Sequence, residues 1–200
     1  MTRFLIIRHG ETTMNARQDR IRGWLNVPLD PNGRKQAATL GESLKNVALD
    51  GLISSDLDRA HETALIISQH TDVPVIGQTL MLRPWNVGQF TGVPSPECRE
   101  ELAEYAMDMP DKDIPGGESF DTFRFRALTA LLVLADTFLG KTVGLVTHHR
   151  VERLIAAWKE NGCPDSFEVH FPTFLQKGVP PGACWVFDMS GSDDDDLHGN

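Results

Sequence analysis

The segment FLIIRHGETTMN, residues 4 to 15, restricts the fold more than any other stretch of the chain. Phe4 to Ile7 is a short, continuous apolar run rich in isoleucine, the pattern of a strand covered on both faces. It stops abruptly at Arg8, His9 and Gly10: a cation, an imidazole and a residue with no side chain. The same transition occurs twice more. LDGLISS, residues 49 to 55, ends in serines and leads to Arg59, and KTVGLVTHH, residues 141 to 149, ends in Thr147, His148 and His149, with Arg150 next.

Between these strands the apolar spacing turns helical. Pro31 to about Val47 places Ala37, Leu40 and Leu44 at three- and four-residue steps, and Asp56 is positioned to cap a helix running through about His70. A short strand is expected near Val73 to Ile76. Five prolines make residues 80 to 118 mostly irregular, with one helix near Pro96 to Met107 and with Trp85 and Phe90 anchoring the loop. FDTFRFRALTALLVLADTF (120 to 138) and VERLIAAWKE (151 to 160) are the remaining helices, and ACWVFDM (183 to 189) is the last strand. Alternating strands and helices imply an open α/β sheet with helices on both sides, forming one domain over residues 1–190. The acidic end, 191–200, is expected to be a disordered tail.

In such sheets ligands collect at the carboxyl ends of the strands. The formal charge is −9, with Asp193 to Asp196 supplying four of those charges and leaving a mildly acidic remainder. That argues against nucleic acid or an anionic membrane as a partner, so an anionic ligand needs a local basic pocket. Cys98, Cys163 and Cys184 are too dispersed for a zinc or redox pair and read as reduced thiols. The opening apolar run is too short for a signal-peptide core, so the expected location is the cytoplasm. Nothing in the residues fixes the oligomeric state.

Two histidines and two arginines at strand ends suit a doubly ionised phosphate, which arginine grips with paired N–H donors. A neutral imidazole can attack phosphorus and carry the phosphoryl group, with no metal or cofactor. These residues carry a resemblance. RHGETTMN, GWLNVPLDPNGRKQA, SSDLDRAHETA, PGGESF and GLVTHH, in that order, resemble the motifs of the histidine phosphatase superfamily, the phosphoglycerate mutase-like proteins. The resemblance implies a three-layer α/β/α sandwich and a phosphatase acting on a small phosphorylated metabolite or other phosphomonoester. It implies His9 as the phosphorylated nucleophile, with Arg8, Arg59 and His148 as the phosphate pocket. Asn15 matches a phosphate-binding position, and Gly10 is expected to let the backbone pass close to the ligand. Glu118 and Ser119 match a motif near the same mouth. Arg22, just before Gly23, is either a further phosphate contact or a solvated cation, and both residues stand as substrate-binding candidates.

The match breaks at the proton donor. Many relatives have a glutamate four residues before the glycine matched by Gly88, and here that position is Pro84. His149 and Glu118 are the candidates to replace it as general acid, the alternatives being water or an acidic leaving group that needs no donor. Two other functions stay open: a phosphoglycerate mutase-type phosphotransferase, or a phospho-ligand-binding module with weak turnover.

Overall fold

A computed structural model describes residues 1–16, 19–176 and 178–189. The acidic segment 191–200 lies outside the described residues. The strands are β1 (Thr2–Arg8), β2 (Gly51–Ser55), β3 (Val75–Thr79), β4 (Thr142–Thr147) and β5 (Cys184–Met189). The helices are α1 (Thr13–Ala16), α2 (Pro31–Leu44), α3 (Asp58–Thr71), α4 (Ser95–Met107), α5 (Phe120–Thr137), α6 (His149–Glu160) and α7 (Phe171–Leu175). They form one five-stranded sheet in the order β3-β2-β4-β1-β5, parallel except for the edge strand β5, which runs antiparallel to β1.

Because side chains alternate across a strand, β1 feeds two cores. Phe4 and Ile6 join the cluster built with Phe120, Phe123, Leu128, Leu154 and Ile155, from α5 and α6. Leu5 and Ile7 join the smaller one built with Leu40, Leu44, Ala60 and Ile67, from α2 and α3. The sheet thus lies between two helical layers, the three-layer sandwich expected. Among the described residues no helix is long and apolar enough to cross a membrane.

Several local expectations are revised. Asp30, not predicted as a cap, accepts from Gly33 N–H at 2.8 Å and starts α2. Asp56 does not cap α3, which begins after Leu57 without a side-chain cap. Its carboxylate is taken by Arg83 in a two-bond pair at 2.8 and 2.6 Å. The third strand runs Val75–Thr79, later than anticipated, and α6 begins at His149 rather than Val151. Gly10 also plays a different part. A β-carbon there would lie 2.4 Å from the Gly33 carbonyl oxygen, and one on Gly33 would lie 2.1 Å from that of Glu11. The missing side chain makes room for the start of α2.

Candidate active site

Strands β1 and β4 are parallel neighbours with Arg8 opposite Thr147, so the residues that follow, His9 and His148, emerge side by side. The His9 backbone N–H continues the ladder to Thr147 O at 3.0 Å. Both imidazoles are buried, and their ring centroids are 5.1 Å apart at an interplanar angle of 61°. His9 Nδ1 lies 2.6 Å from the Gly10 carbonyl. A carbonyl only accepts, so Nδ1 carries the proton and Nε2 keeps its lone pair. His148 has no hydrogen-bond partner at either ring nitrogen among the described residues.

Guanidinium groups surround the pair. Arg59, in the first turn of α3, is 1% exposed. It donates to Leu25 O at 2.8 Å and Gly23 O at 3.1 Å, while its Nε has no partner. Arg8 donates to Val179 O at 2.6 Å and likewise leaves Nε unpartnered. Arg22 donates to Thr12 Oγ1 at 2.9 Å. It lines the same cavity as His9 and His148. The cavity, about 990 Å³, is lined by Arg8, His9, Arg22, Gly23, Arg59 and His148, all sequence candidates, and by Pro84. Asn15 lies on α1 beside it in sequence, but its side chain is outside the described residues.

Burial, then Arg22 and Arg59, hold the His9 imidazole well below its ordinary 6.5. Burial, then Arg59 and His9, do the same to His148. Burial lowers Arg59 to about 9 and Arg22 to about 10. The site therefore combines neutral imidazoles with crowded cations whose donors are unmet, an arrangement that a dianion would relieve.

The two candidate proton donors differ in placement. Glu118 does not line the cavity. Its carboxylate accepts from Arg126 at 2.7 and 3.2 Å and from Asn86 N–H at 2.9 Å. Ser119 also misses the cavity, because its hydroxyl caps α5 by accepting from Thr122 N–H at 3.1 Å. His149 does line it, but Nε2 accepts from Gly178 N–H at 3.1 Å. Burial, then Arg8, lower this imidazole to about 3, so it is a neutral ring at physiological pH. Pro84 supplies only its carbonyl, which accepts from Trp24 Nε1 at 2.8 Å.

Sequence reading missed Arg126. It donates to the carbonyls of Leu80, Met81, Arg83 and Pro84 at 2.8 to 3.3 Å, and with Glu118 it braces the segment that carries Pro84. It also missed Arg153, which lines the cavity from α6 together with Arg150, the residue already noted after the strand-end histidines. Trp85 packs against Phe120 and Phe123 as a loop anchor and still reaches the cavity wall.

The buried neutral histidines have a consequence for stability. A group with its folded pKa depressed binds protons in the unfolded chain first, so stability falls as pH drops below the unfolded value. For His149 that window runs from about 6.5 down to about 3. The melting temperature is expected to fall between pH 6.5 and 4, and to fall less steeply in His149→Gln, which scanning calorimetry over a pH series measures. Parallel slopes in the two proteins would contradict the assignment.

Comparison with known proteins agrees with this geometry. The family model of the histidine phosphatase superfamily (branch 1) matches residues 4–172. The metal-independent phosphoserine phosphatase of Arabidopsis thaliana is 37% identical over 161 residues, covering 78% of this chain and 67% of its own. Among solved structures, Bacillus stearothermophilus YhfR superposes with a TM-score of 0.77 at 30% identity, covering 96% of this chain and 93% of that one. The alpha-ribazole phosphatase of Shigella flexneri gives 0.75 at 25% identity, covering 94% and 91%. With five ordered motifs, a phosphate-shaped cluster at the strand ends and these matches, the chain belongs to the histidine phosphatase superfamily (branch 1) and is a phosphatase of it.

Proposed function

We propose that this chain hydrolyses small phosphomonoesters through a phosphohistidine at His9. The observation that carries the reading is the His9–His148 pair at 5.1 Å, with the proton of His9 on Nδ1 and, among the described residues, Arg8 Nε, Arg59 Nε and both His148 ring nitrogens without a partner. In the first step the Nε2 lone pair forms a bond to phosphorus while the bond to the ester oxygen breaks. Arg8, Arg22, Arg59 and His148, with Asn15 by its motif, neutralise the equatorial oxygens as charge shifts toward the leaving group. Water then attacks phosphorus and releases His9 and inorganic phosphate. A cavity of about 990 Å³ accommodates a metabolite rather than a folded protein. The named activities of the relatives above, on phosphoserine and α-ribazole phosphate, agree with that class.

Proton donation is the unusual part. With proline at the expected donor position, His149 neutral and Glu118 committed to Arg126, the leaving oxygen departs without a side-chain acid at neutral pH. Acidic leaving groups should therefore react fastest. Brief mixing with a labelled aryl phosphate is expected to trap acid-labile phosphate on the protein. Across a series of aryl and alkyl phosphates, log kcat/KM is expected to fall steeply as the leaving-group pKa rises. A flat series would mean that a donor acts after all. Absence of both label and hydrolysis on every ester would favour a phospho-ligand-binding module.

A further inference from the structure

Arg150 and Arg153 are three residues apart in α6 and so share one face of the helix, displaced about 4.5 Å along its axis. Both line the cavity that holds His9 and His148, yet neither belongs to the phosphoryl pocket. Among the described residues neither forms a hydrogen bond or salt bridge, and Arg153 Nε is buried without a partner. Each lies over a ring instead. The Arg150 guanidinium carbon is 5.3 Å from the centre of Trp85, and that of Arg153 is 5.4 Å from the centre of Phe174. Stacking occupies the flat face of a guanidinium and leaves the N–H donors on its edge unspent.

Two half-buried cations held this close repel each other. Burial, then Arg153, lower Arg150 to about 10. Nearby acids relieve them only in part. Glu152, buried beside Arg8 and Arg153, favours the charged form of Arg153, but its carboxylate accepts from Val179 N–H at 3.1 Å rather than from either arginine, and burial lifts it to about 7. Glu100 and Asp19 are exposed at the rim and pair with neither arginine. Glu11, also at the wall, is held by Asn32 at 2.9 Å.

We propose that Arg150 and Arg153 bind a second anionic group of the substrate, a carboxylate or a second phosphate. The substrate class is then phosphomonoesters that carry another negative charge on the leaving-group side. This deepens the phosphatase reading, on which it rests for the position of the first anion.

Binding separates the two ideas because it needs no turnover. Calorimetric titration of the wild type with propylphosphonate, 3-phosphonopropionate and propane-1,3-bisphosphonate compares no second anion, a carboxylate and a second phosphonate. At least one of the two probes that carry a second anionic group is expected to bind about tenfold or more tighter than propylphosphonate, and which one identifies the second anion. Arg150→Gln and Arg153→Gln are each expected to cut that preference to about threefold or less, with Arg150→Lys retaining part of it. Propylphosphonate binding in the variants reports that they are folded. No preference in the wild type, no binding of any probe, or a preference that survives in both glutamine variants overturns the proposal. A preference that follows this pattern in a protein that forms no phosphohistidine supports it and removes only the hydrolytic reading.

Discussion

Replacing His9 by alanine is expected to lower hydrolysis by about 10⁴-fold or more and to eliminate the trapped phosphate, since no neighbouring group can take over as nucleophile. His148 has its own ring in the pocket, but in the proposed mechanism it stands at the start of α6 to donate to phosphate oxygens, so His148→Ala should lose about 10²- to 10³-fold and still become labelled. Rapid quench with a labelled aryl phosphate distinguishes these outcomes. Label on His9→Ala would sink the nucleophile assignment. A cavity left by the missing ring invites a further check: added imidazole should partly restore turnover to His9→Ala and do nothing for Arg59→Ala.

Arg126→Met has the largest expected effect on folding. Arg126 and Glu118 are buried together, with side chains 10% and 11% exposed. Arg126 also satisfies four carbonyls of the segment from Leu80 to Pro84. Removing one partner leaves an uncompensated charge and unpaired carbonyls, at a cost of about 3–5 kcal/mol. For a domain of this size the melting temperature should drop by roughly 6–20 °C. The double variant Arg126→Met/Glu118→Leu should recover part of that loss, because the stranded carboxylate is gone. Kinetics on the same proteins tests the chemistry. Glu118→Gln should slow aryl and alkyl phosphates by the same factor, whereas loss of a proton donor would slow the alkyl ester more.

The strand ends were legible because burial and chemistry change there within one or two residues. FLII is followed by Arg8 and His9, and VGLV by Thr147 and His148, and both transitions mark where backbone leaves the core. Arg126 was illegible for the opposite reason. It sits in the long apolar pattern of α5, where an arginine reads as a solvated interruption, and its partners are carbonyls in an irregular segment with no periodicity. Asp56 was misread because a strand-end aspartate before a helix satisfies a local capping pattern, while the partner that won, Arg83, lies 27 residues away. Arg150 was visible at the strand end, but its pairing with Arg153 was hidden by the shift in the start of α6: a helix beginning at Val151 gives no reason for residue 150 to share a face with 153. Gly10 was assigned to the ligand through the motif that contains it, and only the approach of α2 reveals what the missing side chain accommodates.

The pairing of β1 with β4 has one more consequence. The two imidazoles stand 5.1 Å apart, close to the ~4.8 Å that separates neighbouring strands in any sheet. Their separation is a repeat distance of the backbone, a ruler that no single side-chain exchange resets. The reactive centre and the rim are thus tuned on different scales: α4 and α6 can be rewritten residue by residue to admit another leaving group, while the gauge across which phosphorus is held stays as the ladder set it.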